Sequence, residues 1–174
     1  MYVFKNKPAC FRQHTGKGEM DMLKEGDAAP GFLLTDQDGN EVGLEDFKGK
    51  KLLLYFYPRA NTPGCTQQSC SVRDARDDFE GMNVSRVGIS PDTPEKQKKF
   101  DTKYDLDFPL LSDPDHVAAE AYGVWGEKSM YGKKYMGIVR SSFLMDEEGK
   151  ILGAWYKVSP KDTVPKALDR LKVG

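Results

Sequence analysis

The segment KKLLLYFY, at residues 50–57, constrains the fold most because its bulky apolar residues follow one another without a polar break. Gly49 and Pro58 bound the run, which is too short for most helices and fits a strand buried on both faces. A strand of this kind needs other elements packed on both sides of its sheet. The segment therefore predicts a central sheet that is covered on both faces.

Segments on either side of this strand predict an alternation of strands and helices. A hairpin is predicted around Asp38-Gly39. Further strands are predicted at NVSRVGIS, FPLLS, GIVRSSFLMD and ILGAWYKV, and helices after Thr62-Pro63, Thr93-Pro94 and Asp113-Pro114 and from about Lys161 to Lys172. This order predicts an α/β protein with a thioredoxin-like fold, in which an N-terminal β-hairpin precedes a central mixed sheet flanked by helices.

The Gly-rich segment YGVWGEKSMYGKKYMG is predicted to form a structured loop. It contains Trp125, Tyr131 and Tyr135, which could line a pocket mouth or bind a partner. The aromatic residues Tyr55, Phe56 and Tyr57, by contrast, are predicted to lie in the core or in a pocket wall.

The length of 174 residues indicates one domain, with residues 1–21 as an N-terminal extension and residues 22–174 as the folded unit. A net charge of −1 gives no reason to expect nucleic acid or an anionic membrane as a partner. The chain has no apolar run of transmembrane length, and its first residues lack the apolar region of a signal peptide. We therefore expect a cytoplasmic protein.

In a reducing compartment, two nearby cysteines indicate catalysis or metal binding more often than a structural disulfide. Zinc is disfavoured because Cys65 and Cys70 have C-x₄-C spacing and the other potential ligands are scattered (Cys10, His14 and His116). His116 is interpreted as a surface histidine near a helix cap.

Cys65 is predicted to lie in the first turn of a helix, with Thr62 as its N-cap and Pro63 as its first residue. The thiolate is the reactive form of cysteine, and at an ordinary pKa of about 8.5 only about 3% is ionised at pH 7. Free backbone N–H groups and the helix dipole favour an anion at this position. Cys65, Val72 and Phe79 recur at seven-residue spacing and predict one apolar stripe along the helix.

Cys70 follows Cys65 by five residues, which on an ideal helix corresponds to about 140° of net rotation and about 7.5 Å of rise. A disulfide needs Cβ atoms about 3.8 Å apart, so an intact helix cannot form this bond. The spacing alone leaves two interpretations open. The cysteines are either two ordinary thiols or a redox switch that forms its bond after local unfolding.

The sequence PRANTPGCTQQSC resembles the active-site motif of the peroxiredoxins, with Pro58, Thr62 and Cys65 matching Pro-x-x-x-Thr-x-x-Cys. The second cysteine five residues later resembles the bacterioferritin comigratory protein branch, or Q type. The resemblance extends from about Leu23 to Leu171, and it includes LKEGDAAPGFLL, GISPDTPEKQKKF and RSSFLMDEEGKI. Residues 1–21 fall outside it.

The resemblance implies a thiol peroxidase. Cys65 would attack hydrogen peroxide or an organic hydroperoxide and become a sulfenic acid, and Cys70 would resolve it as an intramolecular disulfide. Thr62 would orient the peroxide, and Arg140 would favour the thiolate and stabilise charge on the departing oxygen. Pro58 would shield the sulfur.

The implied partners are the hydroperoxide substrate and thioredoxin or a similar dithiol protein, and family members of this type are often monomers. No metal, flavin or haem cofactor is implied, because sulfur carries the chemistry. Two other functions would have different sequence signatures. A thiol–disulfide oxidoreductase would favour C-x-x-C at the helix start, and a non-catalytic or chaperone-like protein would favour loss of Thr62, Cys65 or Arg140.

Overall fold

The structure, a computed structural model, describes residues 22–173, so the predictions for residues 1–21, Cys10 and His14 lie outside the described residues. None of the helices in this range is long and apolar enough to cross a membrane. In chain order the elements are β1 (Leu33–Thr35), β2 (Glu41–Gly43), a 3₁₀ helix (Leu44–Phe47), β3 (Lys51–Phe56), α1 (Pro63–Asp74), α2 (Arg76–Gly81), β4 (Val84–Ser90), α3 (Pro94–Tyr104), β5 (Leu110–Ser112), α4 (Val117–Ala121), β6 (Trp125–Met130), β7 (Lys133–Ile138), β8 (Ser141–Met145), β9 (Ile151–Trp155) and α5 (Thr163–Val173).

The main sheet has the strand order β2-β1-β5-β4-β3-β8-β9. Strands β3, β4 and β5 run parallel, whereas β8 is antiparallel to β3 and β9 is antiparallel to β8. The hairpin β1–β2 joins the other edge, where Thr35 pairs with Ser112 of β5. The predicted mixed sheet with an N-terminal hairpin is therefore confirmed.

Strand β3 lies inside this sheet and is buried on both faces, as its continuous apolar sequence predicts. Alternate side chains enter two separate clusters because successive residues of a strand point to opposite faces. Leu53 and Tyr55 pack with residues of α1, α2, α3 and α5, as does Tyr57 just after the strand. Leu52, Leu54 and Phe56 pack on the other face with residues of α4.

Helix α4 begins later than the predicted cap at Asp113-Pro114. The Asp113 carboxylate does cap it, accepting the backbone N–H groups of Val117 and Ala119 at 2.9 Å each. His116 occupies the N-cap position with a positive φ of 59°, and its ring stacks on Trp125 with 3.6 Å between centroids. The predicted place near a helix cap is confirmed, whereas the residue is half-buried and not fully exposed at the surface.

Three predictions of secondary structure were wrong. The predicted strand GIVRSSFLMD is interrupted, since β7 ends at Ile138 and β8 begins at Ser141. The helix after Thr62 is divided at Ala75 into α1 and α2, although the predicted apolar stripe is still buried on both sides of the break. The Gly-rich segment is a hairpin of β6 and β7 that pairs only with itself, and not a loop. Its turn has positive φ angles at Tyr131 and Gly132, which suits a two-residue hairpin connection.

Candidate active site

The loop between β3 and α1 lies at the carboxyl ends of the parallel strands, where open α/β sheets commonly bind ligands. Asp92, which follows β4, holds this loop in place. Its Oδ2 accepts the Ala60 backbone N–H and the Ser90 hydroxyl, both at 2.7 Å. Asp92 was not predicted, because its role depends on two strands that are neighbours only in the folded sheet.

Thr62 is the N-cap residue of α1 and Pro63 is the first helical residue, as predicted. The Thr62 hydroxyl, however, forms no capping bond to the helix. It donates to the Arg59 carbonyl at 2.8 Å. The left-handed backbone of the preceding Asn61, with φ of 62°, turns the chain at this point. The side chain of Thr62 therefore leaves the first backbone N–H groups of α1 without a hydroxyl acceptor.

Cys65 lies in the first turn of α1, and its residue is only 1% exposed. Nη2 of Arg140 donates to its sulfur at 3.3 Å. Nη1 of the same guanidinium donates to Oε1 of Gln68 at 2.6 Å, and Gln68 in turn donates to the Thr163 hydroxyl at 2.8 Å. A fixed positive charge therefore faces a buried thiol, and Gln68 bridges that charge to the start of α5.

The register of the sheet brings Arg140 to this position. Phe56 of β3 pairs with Ser141 of β8, so the residue before β8 lies beside the loop that follows β3. Gly64 leaves room for the guanidinium, because a Cβ at this position would lie 3.2 Å from Nη2 of Arg140. Gln68 was not predicted, although its place three residues after Cys65 on a helix was a usable signal.

Cys70 lies half-buried on the same helix as Cys65, and both thiols are free. The residue between Gln68 and Cys70 helps to fix the helix on the sheet, since the Ser69 hydroxyl and the Tyr55 hydroxyl form a buried hydrogen bond of 2.8 Å. Pro58 opens the loop directly after the buried Tyr57 and is half-buried. The five predicted site residues thus belong to α1, to the loop before α1 and to the segment just before β8.

Comparisons with known proteins show the family of the chain. The model of the AhpC/TSA family matches residues 25–154. Peroxiredoxin Bcp of Escherichia coli K12 is 55% identical over 132 residues, which cover 76% of this chain and 85% of the relative. A putative peroxiredoxin of Mycobacterium tuberculosis is 50% identical over 151 residues, covering 87% and 96%. The structure of peroxiredoxin Q from Xanthomonas campestris superposes with a TM-score of 0.78 at 32% identity, covering 88% and 97%.

The fold and these likenesses define a thioredoxin-like peroxidase of the AhpC/TSA class. The chain belongs to that family and, within it, to the peroxiredoxins of the Bcp or Q branch, as the resemblance predicts.

Proposed function

We propose that this peroxiredoxin reduces hydrogen peroxide and organic hydroperoxides with Cys65 as its peroxidatic cysteine. The observation that carries the proposal is the hydrogen bond from Arg140 to the sulfur of the buried Cys65. A charge-assisted bond to sulfur favours the thiolate over the thiol. The substrate class is supported by the Xanthomonas campestris relative, whose structure is described in terms of alkyl peroxide reduction.

In the first step the Cys65 thiolate attacks the terminal oxygen of the hydroperoxide. An S–O bond forms and the O–O bond breaks, so sulfur is oxidised by two electrons and an alkoxide or hydroxide departs. Arg140 stabilises the negative charge on that departing oxygen, which then takes a proton to give an alcohol or water. The Thr62 oxygen, while donating to the Arg59 carbonyl, keeps lone pairs with which to accept the peroxide hydroxyl.

In the second step the Cys70 thiolate attacks the sulfenic sulfur of Cys65. The S–S bond forms, the S–O bond breaks, and hydroxide leaves and is protonated to water. Because both cysteines lie on the regular helix α1, the first turns of α1 must unwind for this bond to form. A dithiol protein such as thioredoxin then reduces the disulfide by thiol–disulfide exchange.

We propose a monomer in a reducing cytoplasm, where both thiols are regenerated, with Pro58 shielding the Cys65 sulfur. The catalytic unit is proposed to begin at about residue 22, and the family match that starts at residue 25 supports this boundary.

The decisive experiment compares two single substitutions in the full chain. Cys65→Ser is expected to abolish peroxide consumption, because no other described thiol contacts a cation in this way. Cys70→Ser is expected to consume about one equivalent of peroxide and then stop, since its sulfenic acid has no resolving partner. Consumption is followed with and without thioredoxin, and the oxidised wild type is digested for mass spectrometry.

Normal turnover by Cys65→Ser would overturn the assignment. Absence of a Cys65–Cys70 link in the oxidised wild type would remove Cys70 as the resolving residue. Disulfide exchange with protein substrates in the absence of peroxide consumption would instead identify a thiol–disulfide oxidoreductase.

A further inference from the structure

Lys128 lies on β6, in the hairpin that the sequence did not predict, and it is half-buried. Its Nζ donates to the Ile138 carbonyl of β7 at 2.9 Å. The stem of the side chain crosses Gly137 closely, since a Cβ at that glycine would lie 3.1 Å from Cδ of Lys128. The absence of a side chain at Gly137 thus allows the lysine to fold back along its own hairpin.

This contact holds the ammonium close to the active-site cation. Ile138 lies two residues before Arg140, whose guanidinium contacts Cys65. Burial lowers the pKa of Lys128, the positive charge of Arg140 lowers it further, and the negative charge of a Cys65 thiolate opposes both effects. The hydrogen bond to Ile138 thus places the ammonium on the segment that leads into Arg140.

No carboxylate within residues 22–173 forms an ion pair with Lys128. Its neighbour Glu127 pairs with Lys134, at 3.4 Å. Arg140 likewise hydrogen bonds to an amide and a thiol and to no carboxylate among these residues. Two neighbouring cations without a fixed counter-ion repel each other, and a negative charge between or beside them relieves the repulsion.

A thiolate at Cys65 can supply this negative charge, because the sulfur accepts the Arg140 hydrogen bond. From β3 it is faced by Tyr55, whose pKa is raised by burial, so its phenol stays neutral at physiological pH. From its own helix Cys70 contributes a second thiol, and the hairpin and the start of β8 contribute Lys128 and Arg140. Lys128 and Arg140 are thus the cations described near the sulfur, while the Asp92 carboxylate of the same site is held by the Ala60 N–H and the Ser90 hydroxyl.

We propose that Lys128 is a second active-site cation, whose ammonium charge acts together with Arg140 to stabilise the thiolate of Cys65. The inference rests on the proposed role of Cys65. Lys128 acts through its charge, and its hydrogen bond to Ile138 sets the position of that charge. The β6–β7 hairpin thereby contributes a charged side chain to the active site.

The test measures ionisation of Cys65 directly. The ultraviolet absorbance of the thiolate is titrated against pH, as the difference between each protein and the same protein carrying Cys65→Ser. Lys128→Gln is expected to lower the thiolate-to-thiol ratio near neutral pH by about threefold to tenfold, because one nearby charge is lost. Lys128→Arg, which keeps the charge, is expected to restore most of the ratio.

Lys134→Gln is the matched control, because it removes one positive charge from the same hairpin at an exposed position paired with Glu127. It is expected to leave the titration unchanged. An unchanged titration in Lys128→Gln would overturn the proposal, as would an equal shift in Lys134→Gln, which would reflect net charge alone.

Peroxide kinetics give the second measurement. The second-order rate of Lys128→Gln is expected to fall near neutral pH and to recover at higher pH, where Cys65 ionises without help. A loss that is equal at every pH would identify a merely structural lysine and would overturn the inference. The titration does not require peroxidase activity, so the two proposals can fail separately. Turnover by Cys65→Ser would refute the proposed function, whereas the effect of Lys128 on the Cys65 thiolate is decided by the titration alone.

Discussion

At the scale of single residues, the guanidinium of Arg140 contacts two side chains of α1 at once. One of its guanidinium nitrogens contacts the sulfur of Cys65 and another contacts the amide of Gln68. The planar fork of arginine can hold both partners at once, whereas a lysine ammonium is a compact charge on a flexible stem. The paired hydrogen bonds to Cys65 and Gln68, as well as the positive charge, therefore depend on arginine at this position.

We expect Arg140→Met to slow peroxide reduction by about 10² to 10³, the usual cost of removing a preorganised group that stabilises transition-state charge. Part of the loss should recover at higher pH, because it comes from a smaller thiolate fraction. The part due to the departing oxygen should persist. Arg140→Lys should lie between, since it keeps the charge and loses the fork. The second-order rate with hydrogen peroxide is measured across pH.

Arg76→Met provides the matched control for this series. Arg76 is about half exposed on α2, where it pairs with Glu80 and Asp107. Its loss should leave the rate near that of the wild type. A wild-type rate in Arg140→Met would mean that the arginine is structural and that another group activates Cys65.

At the scale of elements, the sequence predicted those helices and strands whose burial pattern is local. Strand β3 could be predicted because every residue from Leu52 to Tyr57 is apolar and buried. The hairpin of β6 and β7 could not, because its strands expose most of their side chains and pair only with each other. The break at Ala75 also lacked a signal, since neither glycine nor proline marks it.

The candidate site was predictable to a similar extent. The loop and helix motif around Cys65 is contiguous in sequence, and Arg140 followed from the family resemblance. Gln68 was missed although its helical spacing from Cys65 was a usable signal, and Asp92 and Lys128 were missed because their contacts run across the folded sheet or hairpin. Residues of this kind have ordinary local surroundings, and only the tertiary structure shows their partners.

Helix α1 should lose protection from hydrogen exchange when the protein is oxidised. The disulfide cannot form in a regular helix, so amides from about Cys65 to Arg73 should exchange faster in the oxidised wild type. Unwinding would also break the Tyr55–Ser69 hydrogen bond. Exchange is measured by mass spectrometry on both redox states, with Cys70→Ser after peroxide treatment as the control that cannot form the bond. Equal protection in both states of the wild type would contradict the switch.

At the scale of the whole molecule, the stability of the packing on both faces of the sheet depends on buried tyrosines that must stay protonated. Tyr55 and Tyr57 lie in one cluster and Tyr122 in the other, and burial raises the pKa of each. The Tyr122 hydroxyl donates to the Pro30 carbonyl at 2.7 Å. A phenolate would lose that bond and place a charge in an apolar cluster.

We expect the free energy of unfolding to fall above about pH 10, where tyrosines ionise in the unfolded chain and not in the folded one. Their stabilising effect is complete below that pH, because the folded pKa is the higher one. Each such tyrosine contributes a slope of about 1.4 kcal/mol per pH unit. Tyr122→Phe should therefore show a shallower decline, measured by urea unfolding at a series of alkaline pH values.

Tyr131→Phe is the control, because Tyr131 is 97% exposed in the hairpin turn. Its alkaline slope should match that of the wild type, and lysine ionisation is common to all three proteins. The idea fails if Tyr122→Phe and the wild type lose stability with the same slope.

The bridge through Gln68 has a consequence for turnover. Gln68 joins α1 both to Arg140 and to the first residue of α5, Thr163. Opening of α1 on oxidation would release both partners together, so the spent enzyme would differ from the ready enzyme over a surface larger than the disulfide alone. A reductant that recognises this altered surface can distinguish the oxidised enzyme from the reduced enzyme. The reduced enzyme would then not compete with the oxidised enzyme for binding to the reductant.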